Sequence, residues 1–123
     1  MKKIIQNLKI AIVGLGYVGL PLALEFSKKK SVIGFDINNK RVKELNSGID
    51  KNLEFNKKIL KTSKNLYFTN NRDDLKSVNC FIITVPTPID KFKKPNLSPL
   101  LNATQIIAKI IKKNDLIIYE STV

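Results

Sequence analysis

Apolar residues along this chain come in short runs separated by polar stretches, and the runs alternate between two periods. Lys9 to Val13 is a compact apolar run that stops at Gly14, the pattern of a strand buried on both faces of a parallel sheet. From Tyr17 to Lys29 the period changes: Leu20, Ala23, Leu24 and Ser27 fall on one helical face, with Lys28 to Lys30 at the end that favours cations. Pro21 sits in the first turn, where a missing amide is tolerated. Ser31 to Phe35 is predicted as a second strand ending at Asp36. Asn38 or Asn39 then caps a helix that stops at Gly48. Further helix is predicted over Leu53 to Leu60, and strands over Leu66 to Thr69 and Cys80 to Val85. Ser98 and Pro99 read as a cap followed by a first-turn proline. The helix after them has Leu100, Ala103, Ile107, Ile110 and Ile111 on its buried face, and Leu116 to Tyr119 is a last strand.

Strands that alternate with helices at short intervals imply crossover connections and a parallel sheet covered on both faces. The expected architecture is α/β, a doubly wound parallel sheet with strand order 3-2-1-4-5. Sheets of this kind usually run on to further strands, and the sequence stops just after one, at Val123. The expectation is therefore a sheet truncated before further strands.

Composition narrows the class. With 123 residues and 43% hydrophobic content the chain fits one small globular domain. The runs Ile10 to Val13 and Phe81 to Val85 are too short to cross a bilayer, so no membrane association is expected. Lys2 and Lys3 could open a secretory signal, but Asn7 and Lys9 interrupt the apolar stretch after them; a cytoplasmic protein is expected. The single cysteine, Cys80, permits no internal disulfide. It would start a strand, far from the end where ligands of such sheets bind, which argues against a nucleophile. The formal net charge of +12 could serve a polyanion. However, the lysines are scattered over expected helix ends and loops with few interleaved aromatics, so no specific nucleic acid partner is expected. There is no histidine, no paired-cysteine metal spacing and no visible acid–base pair; no catalytic residue and no metal site is assigned.

The chemistry concentrates after the first strand. Gly14-Leu15-Gly16-Tyr17-Val18-Gly19 fits G-x-G-x-x-G and lies between a predicted strand and a predicted helix, as the mechanism requires. Gly14 allows a tight turn, Gly16 lets the backbone approach a pyrophosphate, and Gly19 lets the helix pack close to the sheet. The helix N-terminus offers unpaired amides to the phosphates. Asp36 ends the second strand, where an acid can accept the ribose hydroxyls of NAD and repel the 2′-phosphate of NADP. Arg41 complicates this, because a nearby arginine can serve that phosphate; Asp36, closer to the ribose, favours NAD. Thr84-Val85-Pro86-Thr87-Pro88 follows a strong strand at the ligand-binding rim, with prolines that stiffen it and hydroxyls on Thr84 and Thr87. Glu120-Ser121-Thr122 ends the last strand on the same rim. These features together predict a Rossmann-type dinucleotide-binding domain.

Gly14 to Pro21 (GLGYVGLP), Gly34 to Asn38 (GFDIN), Val85 to Asp90 (VPTPID) and Tyr119 to Val123 (YESTV) together resemble the UDP-glucose/GDP-mannose dehydrogenase family. Within it they are most similar to the UDP-N-acetylhexosamine 6-dehydrogenases of surface-polysaccharide synthesis. The Leu53 to Phe55 region lacks the Glu-Pro-Gly-Leu turn common in the UDP-glucose branch, which turns the expected substrate away from UDP-glucose. The resemblance implies an NAD-dependent double oxidation of a sugar C6 alcohol to a carboxylate, through a cysteine and other residues of later segments. It makes residues 1–123 the NAD-binding domain of a longer enzyme without its central and C-terminal substrate domains, inactive alone, with a UDP-sugar substrate and a homo-oligomeric state belonging to the full-length enzyme. The cofactor contacts it implies fall on Tyr17, Val18, Asp36, Arg41, Thr87 and Thr122, beside the glycines already singled out. Two other readings are a dehydrogenase of the 6-phosphogluconate or 3-hydroxyacid type, and a non-catalytic nucleotide-sensing module. The Val85 to Asp90 and Tyr119 to Val123 stretches fit the first poorly, and the second has no use for Thr87 and Thr122.

Overall fold

A computed structural model describes residues 7–52 and 55–120. Its centre is a five-stranded, wholly parallel sheet in the order β3-β2-β1-β4-β5, as expected. The strands are β1 (Ile10–Val13), β2 (Val32–Phe35), β3 (Leu66–Thr69), β4 (Cys80–Ile83) and β5 (Leu116–Tyr119). Helices α1 (Gly19–Ser27), α2 (Asn39–Asn46), α3 (Lys57–Thr62) and α4 (Ser98–Ala108) and a 3₁₀ turn at Arg72–Ser77 connect them. The register places Ile12 beside Gly34 on one side and Ile82 on the other.

Burial follows position in the sheet. β1 and β4 are buried at every residue, whereas β5, at the edge, keeps both end residues exposed. This is why the two continuous apolar runs are the central strands. Side-chain alternation along β1 feeds two cores. Ile10 and Ile12 pack with Leu20, Leu24, Val42 and Leu45 of α1 and α2, while Ala11 and Val13 pack with Phe81, Ile83, Ala103 and Ile107 toward α4.

Several element ends differ from the sequence expectation. β1 starts at Ile10 and β2 at Val32. α1 is shorter than Tyr17 to Lys29 because Tyr17 and Val18 belong to the loop and Lys28 closes the helix. β4 ends at Ile83, since Thr84 and Val85 already leave the strand. α2 starts where expected: the Asn38 side chain accepts the Lys40 and Arg41 amides, and Gly48, with φ +82°, follows its end. Helix expected from Leu53 begins only at Lys57, capped by Asn56, whose side chain accepts the Ile59 amide; residues 53 and 54 lie outside the described residues. Ser98 is not a cap. It is the first helical residue, and its amide donates to the Asn96 side chain, so the capping oxygen comes from two residues earlier. On α4 the buried face is Ala103, Ile106 and Ile107, with Ile111 exposed beyond the helix end.

Candidate functional site

All five strands point the same way, so their carboxyl ends form one rim, and the order reverses where β1 lies between β2 and β4. In such sheets that reversal opens a crevice. A cleft of about 600 Å³ lies there, lined by the first glycines, the Asp36 to Arg41 segment, Val85, Pro86 and the first turns of α4.

Each glycine of the loop has its own physical reason. Gly14 has φ +104°, and its amide donates to the Phe35 carbonyl at 2.8 Å, which turns the chain sharply out of β1. At Gly19 an added methyl would overlap the Gly14 carbonyl oxygen and come within 2.5 Å of Thr84 Oγ1. The helix therefore starts against the loop it leaves. At Gly16 an added methyl would meet nothing within 4 Å. That position needs no glycine for packing; its bare backbone faces the cleft. Among the described residues the Gly16, Tyr17 and Val18 amides donate to no backbone acceptor, leaving the first turn of α1 open to an anion. Tyr17 and Val18 are exposed beside it.

Asp36 is the hinge of the site. One carboxylate oxygen accepts the Leu15 amide at 2.9 Å, and the other accepts the Asn38 amide at 2.9 Å. It thus ties the glycine loop to the segment after β2. Each oxygen keeps a second lone pair for a ligand hydroxyl. Arg41, on α2, donates through Nε to the Leu15 carbonyl at 2.7 Å and through Nη1 to Asp50 at 2.9 Å. Its Nη2 is buried without a hydrogen-bond partner. An orphaned buried donor on the wall of the cleft is a place for a ligand acceptor. Lys51 sits on the same wall, 2.8 Å from Glu44, whose hydrogen bond and charge push the ammonium above its ordinary 10.5.

Thr87 is half-buried on the rim loop, next to Val85 and Pro86, which line the cleft, but it does not line the cleft itself. Thr122 lies outside the described residues. Thr84 is not on the rim: it is buried, and its hydroxyl donates to the Gly14 carbonyl at 2.7 Å, so it braces the glycine loop from below. Cys80 is buried at the first position of β4, at the opposite end of the sheet, and burial raises its thiol above the usual 9.0. No cluster of metal-ligating side chains occurs among the described residues, and among them no helix is long and apolar enough to cross a membrane. Sequence reasoning missed Asp50, and also the far wall of the cleft at Pro99, Asn102 and Ile106. Neither had a motif: Asp50 is one acid in a polar stretch, and the α4 residues reach the cleft only through the tertiary fold.

The residues present fit a dinucleotide: an open first turn for the pyrophosphate, a carboxylate for a ribose and an unpaired guanidinium nitrogen. Comparison with known proteins agrees. The profile of the UDP-glucose/GDP-mannose dehydrogenase family, NAD binding domain, matches residues 8–123. UDP-N-acetyl-D-glucosamine 6-dehydrogenase of Pseudomonas aeruginosa is 57% identical over 96% of the chain, and the enzyme of the same name from Salmonella typhi is 49% identical over 97%. The chain spans 28% of the length of each of these relatives. Among solved structures, the UDP-D-ManNAc dehydrogenase of Pyrococcus horikoshii superposes over 94% of the chain and 29% of its own length, with TM-score 0.87 and 37% identity. Sheet order, glycine loop and profile agree: the chain belongs to the UDP-glucose/GDP-mannose dehydrogenase family and corresponds to its NAD-binding domain.

Proposed function

We propose that this chain binds NAD in the cleft at the carboxyl rim, and that it is the cofactor-binding part of a longer enzyme that oxidises the C6 alcohol of a UDP-N-acetylhexosamine to the uronic acid. The observation that carries the cofactor reading is the conjunction at Asp36: its carboxylate fixes the glycine loop through the Leu15 amide and remains able to accept ribose hydroxyls. Gly16 and the open amides of the first turn of α1 would hold the pyrophosphate, with Tyr17 and Val18 beside it. Arg41 Nη2 would donate to the adenosine half, and Thr87 and Thr122 are proposed as further cofactor contacts. Bound NAD would supply the hydride acceptor. The chain's own work is to bind and orient it. The buried Cys80, far from the rim, takes no part. The names of the similar enzymes support the nucleotide-sugar substrate, with its further residues on segments outside this chain.

Calorimetric titration with NAD and NADP tests the cofactor reading. Saturable NAD binding that exceeds NADP binding is expected; equal or tighter NADP binding would overturn the role given to Asp36. NADH production from UDP-N-acetylglucosamine and its epimers tests the rest. No turnover is expected from these 123 residues alone, and turnover is expected from a protein of the relatives' full length. Turnover by the chain alone, abolished by Cys80→Ser, would reverse the assignment of that cysteine.

A further inference from the structure

Arg41 lines the cleft and Asp50 holds it from behind, a pair that matches no part of the glycine fingerprint. The Asp50 side chain is wholly buried and that of Arg41 is 11% exposed. Asp50 is itself fixed: it accepts the Asn52 amide at 3.1 Å and the Phe55 amide at 3.2 Å, besides Arg41 Nη1. A guanidinium grips a phosphate through one of two edges, side-on with Nε and Nη2 or end-on with Nη1 and Nη2. Here one nitrogen of each edge is already engaged. The single Nε–H goes to the Leu15 carbonyl, one Nη1 hydrogen goes to Asp50, and Nη2 has no partner among the described residues. One nitrogen suits a single hydroxyl or ring acceptor, and the charge behind it is balanced by a buried carboxylate.

We propose that Asp50 is a positioning residue that sets dinucleotide preference: by fixing and neutralising Arg41 it denies the cleft a bidentate grip on a ribose 2′-phosphate, so that NAD is selected over NADP. This rests on the reading of the cleft as a dinucleotide site. Asp36 supplies the repulsive half of the discrimination and Asp50 withholds the attractive half. The other cations on this wall are Lys51, which is paired with Glu44, and Lys40, which the test must separate from Arg41.

The test is titration of NAD and NADP into the wild-type protein, Asp50→Asn, and Asp50→Asn/Arg41→Gln. Asparagine keeps the size and one acceptor and removes the charge. The ratio of NADP to NAD affinity is expected to rise by about tenfold or more in Asp50→Asn, the scale of a gained charged hydrogen bond, and to return to the wild-type value in the double variant. A structural role alone would weaken both dinucleotides together and leave the ratio unmoved, and that result overturns the proposal. A rise that survives Arg41→Gln also overturns it, and would point to Lys40. If Asp50→Asn does not fold, Asp36→Ser decides. With Arg41 still held, that variant is expected to lose NAD affinity without coming to prefer NADP. A switch to NADP that Arg41→Gln abolishes would show that Asp50 does not restrain Arg41. Wild-type protein that binds neither dinucleotide overturns the reading of the cleft itself, and the inference with it.

Discussion

Gly16 and Gly19 are three residues apart in one loop, yet alanine at each should do opposite things. At Gly19 the new methyl would lie within 2.5 Å of Thr84 Oγ1 and 2.8 Å of the Gly14 carbonyl carbon, and would overlap the oxygen between them. Carbon contacts settle at roughly 3.5 Å or more, so α1 must retreat from β1 by about 1 Å or further. Overpacking of this kind costs about 1–3 kcal/mol. The same clash strains the buried 2.7 Å hydrogen bond from Thr84 to the Gly14 carbonyl, a hydroxyl that also reaches the Val13 carbonyl at 3.2 Å. Weakening that bond adds up to about 1 kcal/mol. The sum, about 1–4 kcal/mol, is a sizeable share of the roughly 5–15 kcal/mol that holds a domain folded. For a chain of this length each kcal/mol moves Tm by about 3–5 °C, so Gly19→Ala should melt about 3 °C lower at the least.

At Gly16 the methyl meets nothing and φ is not positive, so Gly16→Ala should melt within a degree or two of wild type. Its methyl instead occupies the approach of the pyrophosphate, and NAD affinity should fall at least tenfold. Melting curves and calorimetric titration of the two variants side by side are the assay. Wild-type Tm for Gly19→Ala would refute the packing argument. Wild-type NAD affinity for Gly16→Ala would refute the placement of the pyrophosphate.

Asp36→Ala should weaken NAD by about 1–3 kcal/mol, read by titration, because it removes a charged acceptor and also frees the Leu15 amide. Cys80 should resist thiol reagents in the native protein and react only as fast as the fold opens, which a labelling time course with and without denaturant measures. Its thiol stays protonated in the fold to a higher pH than in the unfolded chain, so its contribution is intact below the ordinary value of 9.0 and is lost as pH rises toward the folded value. Tm should therefore decline above about pH 9 less steeply in Cys80→Ala than in wild type. The outer edge of β5, with Leu116 and Tyr119 exposed, should promote self-association as salt screens the net charge of +12, and sedimentation at two salt concentrations reads it.

The sequence made the sheet readable because burial and period coincide there. β1 and β4 are buried throughout and are written as unbroken apolar runs; Asn38 and Gly48 mark the two ends of α2 by chemistry that acts within a few residues. The errors fall where the deciding contact is not local in that sense. Tyr17 and Val18 have helical character, but α1 starts at Gly19, where the helix packs against the Gly14 carbonyl. The exception is Ser98, which has the composition of a cap while Asn96, only two residues earlier, supplies the oxygen. Thr84 has the composition of a ligand hydroxyl, but the turn after Ile83 aims it at the loop underneath.

The same division runs through the candidate site. Gly14, Gly16, Gly19 and Asp36 are legible because a phosphate and a ribose impose fixed demands on a strand–turn–helix unit, and those demands become a spacing. Arg41 is legible only as a residue near the ribose. Whether it favours a 2′-phosphate depends on how many of its nitrogens are already taken, and that is decided by the Leu15 carbonyl, 26 residues away, and by Asp50. No spacing records this, because any carboxylate that reaches Nη1 would serve. On the proposed reading, cofactor choice in this cleft is written in two places: a carboxylate at the end of β2 that a motif can find, and a buried counter-charge after α2 that only the packed structure brings to it.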